Sequence, residues 1–295
     1  MEYEKRIVVF MDILGFRDHI KHSVTDSAHI KRIARAIETI HEHTRIDEEW
    51  AHHQVTQFSD CVVVSYLTKQ SSAVFDILLT VSLLQKELAS QGFLVRGGIT
   101  AGDLIHDGHM AFGPALVEAH RMESELASVP RILVDPKLTH IAGRHPAPHH
   151  DYATEAKYVR DFVKTDGDGL DYLDYLSWDA VADGAGVGAE GYIPYLGVIA
   201  RILSQSMVAT SDPRTLRKML WLHREYTQAI QHFYDPPRPA EVLERHALFY
   251  EGLESLPTLT EQADDARKCV VAWEAEQKSF EAAMKLDKAN ALAQP

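Results

Sequence analysis

The stretch Arg6-Ile-Val-Val-Phe-Met-Asp-Ile-Leu-Gly-Phe16 constrains the fold more than any other. It is an apolar run rich in β-branched residues, the pattern of a buried strand. The run ends in a carboxylate, Asp12, followed by the turn-forming Gly15. A second stretch, Gln57-Phe-Ser-Asp-Cys-Val-Val-Val-Ser-Tyr66, sets Asp60 at a turn immediately before another β-rich run. Either aspartate alone reads as a turn residue at a strand end. Two of them, each at the tip of a strand, are what a pair of divalent metals needs. Hard cations such as Mg²⁺ or Mn²⁺ bind through one or two carboxylates plus substrate phosphate oxygens. Two-metal sites hold ions about 3.5–4 Å apart and stabilise both the attacking and the leaving oxygen of an in-line displacement.

The rest of the chain frames these two stretches. After a strand over 6–11, the cluster Thr25-Asp26-Ser27 caps an amphipathic helix, 26–44, with Ile30, Ile33, Ala34, Ile37 and Ile40 at helical spacing. His53–Phe58 and Cys61–Leu67 predict two strands joined by a tight turn at Ser59-Asp60. Ser71–Ser90 predicts a helix, and Phe93–Ile105 a strand interrupted by Gly97, Gly98 and Gly102. The order β-α-β-β-α-β is the ferredoxin-like unit, in which the first strand and the hairpin lie side by side at the sheet centre. Asp12 and Asp60 would then occupy neighbouring strand ends.

Further on, Gly108 and Gly113 bracket a second small hairpin, and Pro114 opens a helix, 114–128, that carries Arg121. A short strand follows at Arg131–Val134. Gly143–His150 reads as a solvated loop, because the prolines between its histidines spoil any fixed metal geometry. Asp166-Gly-Asp-Gly169 is a hairpin signal; it resembles the start of a calcium loop but lacks the bidentate Glu. From about 189 the pattern is helical: Tyr192–Val208, a helix capped by Asp212-Pro213, a short helix near 240–253, and a charged helix over 261–286. In the last, Val270, Trp273, Gln277, Phe280 and Met284 form a stripe suited to packing on the core or on a partner subunit. The expected division is a catalytic unit, 1–180, and a helical extension, 181–295, an α+β protein.

The 295 residues carry 30 basic and 43 acidic side chains, a net charge of −13. That balance argues against binding nucleic acid or an anionic membrane surface. A polyanionic substrate needs a locally positive pocket made by a few arginines and metal ions. The two cysteines, Cys61 and Cys269, lack zinc-ligand spacing and exclude a disulfide framework; Cys61 is expected to be a buried, reduced thiol. No apolar run approaches the roughly 18 residues of a membrane helix, and a cytoplasmic location is the expectation.

Four motifs together resemble the class III nucleotide cyclase family. They are Phe10-Met-Asp-Ile-Leu-Gly-Phe16, Phe58-Ser-Asp60, Val95-Arg-Gly-Gly-Ile-Thr-Ala-Gly102 and Phe112-Gly-Pro-Ala-Leu-Val-Glu-Ala-His-Arg-Met-Glu-Ser124. The resemblance covers roughly 6–135 and implies a ferredoxin-like class III cyclase core. It implies that Asp12 and Asp60 hold two Mn²⁺ or Mg²⁺ ions, with the Ile13 carbonyl as a further ligand. Backbone N–H groups of Leu14, Gly15 and Phe16 would cradle the β- and γ-phosphates. Arg96 would contact phosphate, and Arg121 would stabilise charge on the α-phosphoryl group, supplied across a head-to-tail homodimer. Phe10, Thr56 and Met110 complete the substrate-binding set.

Departures from the family pattern bear on the base. Purine cyclases carry a Lys where this chain has Thr56 and an Asp aligned with Met110, so the donor–acceptor pair for a purine edge is gone. Their ribose-positioning Asn is Val117 here. The site is then either degenerate or built for another base. The chain is similar to the pyrimidine nucleotide cyclases of bacterial Pycsar antiphage systems, which share the Asp-Ile-Leu-Gly-Phe and Phe-Ser-Asp signatures, an Asp-Gly hairpin and a helical extension. That similarity implies UTP as substrate, with CTP the alternative, and a cyclic product that activates a separate effector. His53, Gln54 and Thr56 are candidate pocket residues. A non-catalytic nucleotide-binding module remains the rival from another class; a diguanylate cyclase is disfavoured by the missing Gly-Gly-Asp/Glu-Glu-Phe hairpin.

Overall fold

The computed structural model describes residues 2–44, 53–107, 109–184 and 186–292. The long apolar run becomes β1 (Glu4–Ile13), central in a mixed sheet. β2 (Gln54–Phe58) and β3 (Cys61–Leu67) form the expected hairpin, and β4 (Val95–His106) lies on the other side of β1. The order β2-β3-β1-β4, with every neighbouring pair antiparallel, is the ferredoxin-like arrangement. The fold is therefore α+β. β6 (Ile132–Val134) extends the sheet parallel to β4, followed by β8 (Asp171–Leu173) and β7 (Val163–Thr165). β5 (Ala111–Phe112) pairs only with β4, making the second small hairpin; Gly108, its expected bracket, lies outside the described residues.

Two faces of the sheet are covered differently. Ile7, Val9, Met11 and Ile13 alternate onto one face, with Val62, Val64 and Tyr66 of β3 beside them. They pack under α2 (Ser27–His43), capped by Asp26 as the sequence indicates, and α3 (Ala73–Ser90). The other face carries Val8, Phe10, Val63 and Leu104, covered in part by α4 (Pro114–Arg121) through Ala115 and Ala119. The glycine that interrupts β4 at 98 has a steric reason. A Cβ there would stand 2.5 Å from the Met122 Cβ and 2.6 Å from the Ala119 carbonyl oxygen, so only Gly lets the helix settle on the sheet.

The helix expected over 114–128 changes character midway. After Arg121 the backbone widens into a π turn, Met122–Leu126, closed by Ala127 N–H donating to the Met122 carbonyl at 2.7 Å. α1 (Phe16–Ser23) begins directly after β1. Two short helices, α5 (Lys137–Arg144) and α6 (Tyr152–Asp161), flank a loop over 145–150, and α5 takes up Gly143 and Arg144, placed by sequence in that loop. The Asp-Gly turn joins β7 to β8, and both its carboxylates clamp the fully buried Arg131.

The chain divides into two compact units, Met1–Val198 and Ile199–Pro295. α7 (Gly188–Ala209) runs from the first into the second. In the second, α8 (Pro213–Gln231) starts at the Asp212 cap and packs Leu216 and Leu220 against Ala266 and Val270 of α11 (Thr260–Leu292). α9 (Ala240–Arg245) and α10 (Ala247–Glu254) replace the single short helix expected there. Along α11, Val270 is buried, whereas Phe280 and Met284 are exposed.

Gly98→Ala is expected to lower stability by about 1–3 kcal/mol, the usual cost of overpacking. Urea unfolding of the variant beside the parent measures it, and an unchanged midpoint would show that α4 does not rest on this glycine.

Candidate active site

The site grows from strand register. Asp12, next to last in β1, pairs across the ladder with Arg96 of β4. Alternation puts Asp12 on the face of Val8 and Phe10, away from the α2–α3 core. Phe58 pairs with Cys61, so Ser59 and Asp60 form a two-residue turn in which Ser59 takes φ 59°. The turn ends beside β1. One carboxylate oxygen each of Asp12 and Asp60, together with the Cys61 Sγ, lie within 4.8 Å of one another. Two acids 48 positions apart in sequence thus meet at one rim of the sheet.

Electrostatics there are strongly acidic. Arg96 donates from Nε to Asp12 Oδ1 at 3.2 Å and from Nη2 to Oδ2 at 3.4 Å. A third acid, absent from the sequence reading, joins them: Glu123, from the π turn, is buried with Oε1 2.6 Å from Arg96 Nε. The single Nε hydrogen is directed at Asp12, so the Glu123 contact is an ion pair without an aligned hydrogen bond, and Glu123 Oε1 accepts none. Burial and then the neighbouring Asp12 charge push the Glu123 carboxyl up to about 7, against the pull of Arg96. Burial, then Asp60 and Asp12, push the Cys61 thiol up to about 11. Cys61 is only partly buried, not fully as expected, because it sits at the turn end of its strand.

These donors suit a divalent ion. Two hard carboxylates converge within the span of one coordination sphere, with the Ile13 carbonyl next along the chain. Among the described residues, no other group of three His, Cys, Asp or Glu side chains gathers closely enough. Gly15, at φ 75°, turns the chain from β1 into α1. The intrahelical bonds begin with Asp18 and His19, which both donate to the Gly15 carbonyl, leaving the Gly15 and Phe16 amides ahead of them at the helix start. Leu14 differs from expectation: its N–H donates to the Leu94 carbonyl at 2.8 Å, so it is not free for a phosphate. Of the three amides expected to meet phosphate, those of Gly15 and Phe16 remain candidates.

Other expected residues are placed variously. Arg121 is bound by its own helix, donating to both Glu118 oxygens at 2.7 and 2.8 Å with Glu125 3.9 Å away; neither Asp12 nor Asp60 is its partner. Phe10 packs edge-on to His120 with ring centres 5.0 Å apart. Met110 is exposed near the β4–β5 turn. Thr56 lies on the site's face of the sheet but is buried, its hydroxyl 2.9 Å from His106 Nε2. His53 belongs to the opposite face, stacked on Tyr66 at 5.3 Å, which removes it from the candidate pocket. The parity of 53 against 56 carries that information: residues three apart in a strand point to opposite faces.

No protein-family model matches the chain, and no curated protein does. Solved structures that resemble part of it include the adenylyl cyclase CyaB from P. aeruginosa, at 17% identity and a TM-score of 0.39 over 48% of this chain and 81% of that one. A bacterial light-regulated adenylyl cyclase matches at 18% identity and a TM-score of 0.35, over 47% of this chain and 79% of that one. A class III adenylyl cyclase-like ATP-binding protein from Pseudomonas aeruginosa matches at 12% and 0.34, over 53% and 40%.

His106 bridges Thr56 and Ser65, whose Oγ lies 2.8 Å from its Nδ1, and burial lowers its pKa to about 4. The unfolded chain, with an ordinary imidazole near 6.5, binds the extra proton first, so this group withdraws stability as pH falls from 6.5 towards 4. Urea unfolding across that window should show a smaller acid-induced decline in His106→Gln than in the parent. Equal declines would mean that His106 titrates normally.

Proposed function

We propose that the chain is a nucleotide cyclase that converts UTP to 3′,5′-cyclic UMP and pyrophosphate, with CTP the alternative substrate. The observation that carries this reading is the meeting of Asp12 and Asp60 at the sheet rim beside Arg96. In the reaction the ribose 3′-oxygen attacks the α-phosphorus, the bond to the bridging oxygen breaks, and pyrophosphate leaves. The hydroxyl proton passes to solvent. Bound divalent ions, Mn²⁺ or Mg²⁺, would draw charge from the triphosphate and lower the pKa of that hydroxyl.

The chain's own groups do the rest. Asp12 and Asp60 hold the ions, with the Ile13 carbonyl. The Gly15 and Phe16 amides, at the start of α1, bind phosphate oxygens where the helix dipole favours negative charge. Arg96 turns from Asp12 to a phosphate. Arg121 acts from a second copy of the chain, which requires it to leave Glu118. Exposed apolar side chains on the elements of this face, Phe58, Phe112 and Val117, are consistent with a homodimer covering it. Thr56 and Met110 in place of a purine-reading pair favour a pyrimidine, and Thr56 can reach a base only by giving up His106. The product would serve as a second messenger for a separate antiphage effector.

The test is purified protein with Mn²⁺ and each of the four nucleoside triphosphates, products identified by mass spectrometry. A cyclic pyrimidine nucleotide with stoichiometric pyrophosphate is expected. Nucleotide binding with no product from any of the four would instead establish a non-catalytic module. Asp12→Asn and Asp60→Asn are each expected to reduce turnover roughly a thousandfold. Apo stability should be unchanged or raised in Asp60→Asn, because one of two mutually repelling carboxylates is gone, whereas Asp12→Asn also loses the Arg96 ion pair and should be no more stable than the parent. Near-parental turnover in either variant would overturn the assignment.

A further inference from the structure

We infer that Glu123 is a positioning residue, the alternative seat to which Arg96 moves when a cation takes Asp12. This rests on the reading of Asp12 and Asp60 as metal ligands. As the protein stands, Arg96 occupies the carboxylate that a cation needs: both its Nε and Nη2 donate to Asp12. A guanidinium and a divalent ion compete for the same lone pairs. Ejecting Arg96 into a buried rim with no new partner would leave a partly buried charge unpaired and weaken metal binding.

Glu123 solves this locally. Its Oε1 is buried, accepts no hydrogen bond, and lies 2.6 Å from Arg96 Nε, closer than Asp12 does. Turning the Nε hydrogen, and freeing the Glu123 carboxyl from its side-chain hydrogen bond with Asp12, would convert the present ion pair into a full charge-assisted hydrogen bond. The exchange therefore needs a rotation of the guanidinium, not a movement of the strand. The π turn supplies Glu123 at this point, and Gly98 lets that turn lie close against the sheet. Held from Glu123, Arg96 keeps a fixed position beside the cations, where a phosphate arrives.

The experiment is Mn²⁺ titration of the full chain without nucleotide, free Mn²⁺ being read by electron paramagnetic resonance. Glu123→Gln should weaken Mn²⁺ binding roughly fivefold or more, and Arg96→Ala should strengthen it. In the Arg96→Ala background, Glu123→Gln should change affinity by less than about twofold, because it acts through Arg96. Equal weakening in both backgrounds would overturn the inference and make Glu123 a plain nearby charge, leaving the metal site intact. If Glu123→Gln fails to fold, Arg96→Ala alone decides: unchanged or weaker Mn²⁺ binding contradicts the exchange. Parental protein that binds no Mn²⁺, or binds it equally as Asp12→Asn, removes the metal site and this inference with it. Loss of cyclisation activity with the Mn²⁺ results as expected would count against the proposed reaction only.

Discussion

Two carboxylates within 4.8 Å of one another repel unless a positive charge stands between or beside them. Everything about the rim of this sheet follows from how that repulsion is met. In the protein as it stands the charge is Arg96, fixed opposite Asp12 by ladder register. In the proposed reaction it is a pair of divalent ions, with Arg96 displaced towards phosphate. An arginine is a good temporary occupant: always charged, planar, and able to release one carboxylate while keeping hold of another.

The scaffold explains why the acids can be held so close. β1 is buried on its α2–α3 face and flanked by β3 and β4, so its end cannot swing away from the β2–β3 turn. α4 is brought down onto the sheet at Gly98, and the π turn after it delivers Glu123 to Arg96. Further out, Arg131 is closed off by Asp166 and Asp168 of the β7–β8 turn. Similar pairings of arginine with two acids therefore serve different ends: one holds a buried arginine under a turn, the other sits at a partly buried rim with one acceptor unused.

Much of this was legible in the residues. The apolar run at 6–13, the Ser-Asp turn and the glycines of β4 each follow from local rules of strand and turn chemistry, and together they fix the sheet order. His53 and Thr56, three apart in the strand expected there, cannot share a face, and only the stacking of His53 on Tyr66 decides which of them lies away from the site. Glu123 was not legible, because 114–128 spells a continuous helix and nothing in its pattern announces the π turn at Met122–Leu126. The loss of the Leu14 amide to Leu94 was equally hidden, being a contact between segments 80 positions apart. Helices α5 and α6 are short and proline-flanked, so their periodicity was too brief to read.

Anomalous diffraction from crystals soaked with Mn²⁺ and a non-hydrolysable UTP analogue tests the central claim most directly. The account predicts Mn²⁺ peaks ligated by both Asp12 and Asp60 and by the analogue's phosphate oxygens. Peaks elsewhere, or a nucleotide bound with Arg96 still paired to Asp12 and no ion at either acid, would contradict it.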